Sequence, residues 1–269
     1  MTLTALDMTR RTNLPYERFL AVPFVLCYHA VSDTWDHPLA VRRETLTRQL
    51  AGAIRWGWKP AGAAEVVAGK PRALHVTFDD AYRSILGVLP SLEQLGIRPT
   101  VFVCTDYAAE GRPLDLPPLD RLPAVHRNEL ATLCWDELRE LAERGVEIGS
   151  HTRTHPNLRE LSTGELRQEV TASREEIESE LGRRCSYFAY PYGQFDARVR
   201  GEVERAGYEA AFGLVGVGLL GGRFGVSRVE SSRRDGDVRI LLKSSAAWPL
   251  LSGALRRLRG PLARLDPRK

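Results

Sequence analysis

Apolar residues in this chain gather in short continuous runs, and most of the stretches between them have a helical period. The runs are Phe24–Tyr28, Ala73–Phe78, Thr100–Cys104, Val146–Gly149, Tyr187–Tyr190 and Ala210–Phe212, with a weaker one at Phe224–Val229. Segments that short, with little alternation, read as strands buried on both faces. Helix-like periods cover Arg43–Trp56, Ala81–Leu95, Trp135–Arg144, Thr163–Leu181 and Asp196–Ala206. The fourth is the best marked. Ser162 can cap it, Glu165 completes a capping box, Leu166, Val170, Ile177 and Leu181 share a face, and Gly182 can end it. A glycine between helix and strand recurs at Gly96, Gly145 and Gly207. Strands alternating with helices predict βαβ units, and about seven of them predict a barrel of parallel strands with its chemistry at their carboxyl ends. The proline-rich stretch Asp106–Arg127 breaks the rhythm and is expected to be a long loop over one end of the barrel.

A chain of 269 residues, 43% of them hydrophobic, can bury one large core. The expected division is an N-terminal extension at 1–21, a barrel at 22–239 and a basic tail at 240–269. The tail carries seven basic residues against one acid, Asp266. It therefore accounts for +6 of a net +4, and the remainder is −2, which argues against nucleic acid as a partner. The tail's leucines could rest on an anionic membrane or form a docked helix broken at Pro261. The run from Phe19 follows several arginines like a signal peptide. It starts late and contains Pro23, so a first core strand is preferred over an export signal and a cytoplasmic location is the expectation, with membrane association if the tail rests on a membrane. Four widely spaced cysteines read as reduced thiols.

Two constellations follow predicted strands. In Thr77-Phe78-Asp79-Asp80, two adjacent carboxylates are costly to bury unless a cation compensates or one works as a base; the alternative is a cap for a helix starting near Ala81. In His151-Thr152-Arg153-Thr154-His155, the i, i+4 histidines would project to one side of a helical turn, or simply sit on the surface. Together, one carboxylate and two imidazoles make an open three-ligand metal site, with the second Asp free as a base. A third segment, Phe188-Ala189-Tyr190-Pro191-Tyr192-Gly193, ends a strand in a turn that can present backbone N–H groups.

These three segments, in this order, resemble the polysaccharide deacetylase family (carbohydrate esterase family 4), over roughly Val22 to Arg228, and specifically its exopolysaccharide-type branch, which opens with a Tyr-His strand. The resemblance implies an irregular (β/α)7 barrel and a metal-dependent hydrolase that removes N-acetyl groups from a polysaccharide, oligosaccharide or lipid-linked sugar. It makes Asp79 the general base and Asp80, His151 and His155 the ligands of a divalent metal, usually Zn2+. Thr152 would support the ligand loop, the Tyr192 N–H would hold the oxyanion, and Tyr190, Pro191 and Tyr192 would line the sugar site. Better-known members carry an Arg where this chain has Ala189, and a C-terminal His as general acid, whereas no His follows Gly193 here. Arg228 is the candidate replacement partner for Asp79, and His29, ending the first strand, the candidate acid. His37, His75 and His126 have no motif and are read as structural. The alternatives are a catalytically inactive glycan-binding member and a deacylase of a non-sugar substrate.

Overall fold

The structure is a computed structural model. It describes residues 22–243 except 115, 118, 122, 123, 215–220, 234, 237, 238, 241 and 242. The extension at 1–21, the tail beyond 243 and the side chain of His126 lie outside the described residues. Among the described residues, no helix is long and apolar enough to cross a membrane.

Seven parallel strands form the barrel: β1 Phe24–Tyr28, β2 Ala73–Phe78, β3 Thr100–Val103, β4 Glu147–Ser150, β5 Tyr187–Ala189, β6 Ala210–Leu214 and β7 Val226–Glu230. Each pairs with the next from β2 to β7, and β1 closes the ring by pairing with both β2 and β7. The ring is irregular at one seam. A two-residue strand, Lys59–Pro60, pairs with the start of β2, and β3 pairs only with its end, at Thr77 and Phe78.

The strand period of two decides which residues face inward. On β2, Leu74, Val76 and Phe78 pack in the large core shared with the helices, while Ala73 joins a second cluster drawn from five strands, with Val25, Phe102, Tyr187, Ala189, Ala210 and Phe212. Continuing that alternation places His75 and Thr77 on β2 inward with Asp79 just past its end, and Cys27 on β1 inward with His29 just past its end. His75 is buried there between the Ala61 carbonyl and the Thr100 hydroxyl, and burial lowers its pKa to about 4, so it is a neutral structural group.

The helices are α1 Arg43–Arg55, α2 Ala63–Val67, α3 Leu89–Gln94, α4 Thr105–Ala108, α5 Trp135–Glu143, α6 Thr163–Leu181 and α7 Ala197–Arg205. The reciprocal Ser162–Glu165 box is present at the start of α6, and Gly182 ends it in the left-handed region at φ 60°. Ser162→Ala is expected to cost about 1 kcal/mol, read as a fall in Tm of about 2–4 °C.

The expected helix over Ala81–Leu95 is replaced by a 3-10 turn, Arg83–Gly87, followed by α3. Pro90 explains the break, since proline fits the first turn of a helix and not its interior. The proline-rich segment also differs from a plain loop: α4 overlaps its start, the 3-10 turn Leu119–Arg121 lies within it, and the 3-10 turn Ala124–Leu130 overlaps its end.

Candidate active site

Three loops at the carboxyl ends of β2, β4 and β5 converge on one cavity of about 420 Å³. Among the described residues, six other than glycine have positive φ, and five of them sit in these loops: Asp80 at 67°, Ala81 at 49°, Thr152 at 74°, His155 at 61° and Tyr192 at 58°. Left-handed backbone at such residues costs about 1–3 kcal/mol each and persists where the surroundings impose it, as at functional sites. With Asp80 in that conformation and no α-helix beginning at Ala81, the helix-cap reading of this carboxylate falls away.

The two histidines are not on a helical turn. Residues 151–157 are irregular, and the left-handed kinks at Thr152 and His155 bring the imidazoles together, with ring centroids 4.8 Å apart. His151 Nδ1 lies 2.8 Å from the Ala189 carbonyl, so this nitrogen carries the proton and Nε2 presents a lone pair. Thr152 Oγ1 accepts the His155 backbone N–H at 3.0 Å. From α6, Glu169 accepts the backbone N–H groups of Arg153 and Thr154 and the Thr154 hydroxyl. Glu169 lies outside the motif and became visible only once α6 was packed against the loop. Glu169→Ala is expected to weaken divalent-metal affinity by about 10–100-fold, as loss of a group that orients ligands does, with little change in far-UV circular dichroism.

Asp80, His151 and His155 each offer a ligand atom, all within 4.8 Å of one another. Asp80 Oδ1 stands 3.7 Å from His151 Nε2 and 3.5 Å from His155 Nε2. Two donors each ~2.1 Å from a tetrahedral ion stand about 3.4 Å apart, so these spacings suit one shared cation. Burial lowers both imidazoles to about pKa 4, leaving them neutral and able to ligate. Burial raises the Asp80 carboxyl against the opposing pull of His29 and His151, and its Oδ1 has no hydrogen-bond partner among the described residues. A buried carboxylate oxygen without a donor is expensive; a cation between it and the imidazoles removes that cost.

Asp79 is treated differently. Both its oxygens accept from Arg228, Nη1 to Oδ1 at 2.6 Å and Nη2 to Oδ2 at 2.9 Å. Arg228, fully buried, also donates to Thr77 Oγ1 and lies over the rings of Phe102 and Phe212. Burial pushes the Asp79 carboxyl up, but Arg228 and His151 outweigh it and hold the group well below the usual carboxylate range. Cys27, His29 and Asp79 also lie close enough for metal ligation. The guanidinium on both Asp79 oxygens already puts a permanent cation there, so the Asp80 group is the one that fits an ion.

His29 lies on the same cavity, its Nδ1 without a hydrogen-bond partner among the described residues. Tyr192 is 48% exposed, lines the cavity and packs edge-on to His155 at 4.6 Å. Tyr190 and Pro191, also expected along the sugar, do not line the cavity. Tyr190 is fully buried, stacked on Phe195 and donating to the Phe224 carbonyl. Thr152 and Arg228 are buried in the supports described above, and Pro191 is buried in the turn. Conversely, His37 and Glu230 do line the cavity. His37 was read as structural because it has no motif; a chain turn stacks it on Trp35, at 4.6 Å, beside the site.

A seven-stranded parallel barrel with a buried Asp-His-His cluster and a paired second Asp at its carboxyl end defines the class of protein. The chain belongs to the polysaccharide deacetylase family, whose match runs over residues 67–211, more than half of the chain. It is 27% identical over 241 residues to the poly-beta-1,6-N-acetyl-D-glucosamine N-deacetylase of Escherichia coli (strain K12), covering 74% of this chain and 34% of that one. The chain spans less than half the length of the curated relatives it matches. Among solved structures, the fold is shared with the Streptococcus pyogenes deacetylase PplD in complex with acetate, at TM-score 0.67 and 18% identity over 83% of this chain and 98% of that one. It is shared also with IcaB from Ammonifex degensii, at TM-score 0.66 and 19% identity over 84% and 98%.

Proposed function

We propose that this chain is a zinc-dependent hydrolase that removes N-acetyl groups from a carbohydrate, either a glycan or a lipid-linked sugar. The observation that carries the proposal is Asp80 Oδ1, buried without a donor and facing two neutral imidazole nitrogens. Asp80, His151 and His155 would hold the ion. When bound, a divalent ion supplies an acidified water and a Lewis acid for the acyl carbonyl. The name of the Escherichia coli relative supports an N-acetylated amino sugar as the substrate.

The chain's own groups account for the proton movements. Asp79, held ionised by Arg228, accepts a proton from the attacking water at Oδ1, which keeps a lone pair beyond the one Arg228 uses, whereas Oδ2 also accepts from the Cys27 thiol at 3.4 Å. The left-handed turn at Tyr192 offers its backbone N–H to the oxyanion, and the Tyr192 ring excludes water beside His155. His29 hands a proton to the departing amine. The C–N bond breaks, a C–O bond forms from water, and free amine and acetate leave.

Acetate release from N-acetylated gluco-oligosaccharides is expected to stop on chelation and to return with added Zn2+ or Co2+. Release that is indifferent to chelation would overturn the proposal, as would none from metal-loaded protein.

A further inference from the structure

Beside its seven histidine, aspartate and glutamate residues, the wall of the catalytic cavity carries an extensive apolar surface. Five leucines face it from three segments: Leu39 after β1, Leu114, Leu116 and Leu119 after β3, and Leu214 ending β6. Leu39, Leu116 and Leu214 are only half-buried, so part of their apolar surface is left uncovered by the core. Tyr192 is the only Phe, Tyr or Trp lining the cavity among the described residues, and the leucines offer sugar hydroxyls neither donors nor acceptors.

This apolar surface begins at the reacting end. A Cβ on Gly193 would stand 2.8 Å from Leu214 Cβ, so Leu214 packs directly on the turn whose Tyr192 ring covers His155. A substrate with its carbonyl beside Asp80, His151 and His155 would meet leucine with the carbon chain on its acyl side. An acetyl methyl fills little of about 420 Å³.

We propose that the cavity is an acyl-chain subsite and that the preferred substrates carry an N-acyl chain longer than acetyl, of medium length and saturated. This rests on the deacylase reading and narrows its substrate class. Burying one methylene favours binding about fourfold, so even partial burial of four extra methylenes gives a large preference.

Two measurements test it. The first is binding of acetate, butyrate, hexanoate and octanoate to zinc-loaded protein by calorimetry, which needs no turnover. Hexanoate is expected to bind at least tenfold tighter than acetate, and Leu39→Asn and Leu116→Asn to bring that ratio toward one while Tm stays near wild type. The second is kcat/KM for N-acetyl- and N-hexanoyl-glucosamine oligomers, with the hexanoyl series at least tenfold higher. Acetyl turnover with flat chain-length dependence in both measurements overturns the subsite and leaves the deacetylase reading standing. Chain-length-dependent binding without hydrolysis of either series overturns the deacylase reading and supports the subsite. A preference in wild type that both leucine variants retain overturns the assignment to this wall.

Discussion

Asp79→Asn is expected to lower kcat by about 10²–10⁴-fold, the range for loss of a positioned general base, while the protein still binds its divalent ion. Asp80 and the two imidazoles, which fit the ion, are untouched by this change. Asparagine keeps the size of the side chain and one acceptor oxygen. It loses the second acceptor that Arg228 uses and the basicity that takes a proton from water. Steady-state kinetics and metal analysis on the same preparation separate the roles. A fall in activity matched by an equal loss of metal would mean that Asp79 acts by holding the ion.

Arg228→Met is expected to destabilise the fold by about 3–5 kcal/mol, because removing one partner leaves a buried charge uncompensated. The wild-type carboxyl is depressed, so its contribution is present above the ordinary carboxylate pKa of about 4 and is lost as pH falls below it. In the variant, burial, the largest influence on this carboxyl, acts without the guanidinium and with only His151 and His29 to oppose it, and the Asp79 pKa is expected to rise above its ordinary value. The sign then reverses: stability falls as pH climbs from about 4 toward the raised pKa. Urea unfolding should therefore show a larger gap between variant and wild type at pH 7 than at pH 4.5. The acid limb of the variant's pH–rate profile should move upward. Equal gaps at both pH values would mean that the ion pair does not govern Asp79.

Much of this arrangement was legible in the sequence. β1 and β2 have the bounds their apolar runs predicted, because strands buried on both faces cannot carry polar residues without a partner or a use. The exceptions are informative. His75 and Thr77 on β2 and Asp79 just past its end alternate and all face inward, so the period of two already marked a polar column leading to the site. Arg228 belongs to that column although it is 149 residues from Asp79 in sequence. Its register on β7 was invisible until the barrel closed, and it supplies the guanidinium for which Ala189 has no atoms. The loops were the least legible part. A His-x-x-x-His spacing is compatible with a helical turn, but the chain reaches the same convergence through two left-handed residues fixed by Glu169 and by the Thr152 hydroxyl. Those contacts are long-range or conformational, and no local propensity announces them.

One divalent cation held jointly by Asp80, His151 and His155 is the claim on which the chemistry rests. Titration of metal-stripped protein with Zn2+ by isothermal calorimetry tests it most directly, with Asp80→Ala run alongside. One ion per chain for wild type, and affinity for the variant weaker by at least 100-fold, is the expected result. Absence of stoichiometric binding by wild type, or an unchanged isotherm for Asp80→Ala, would contradict it.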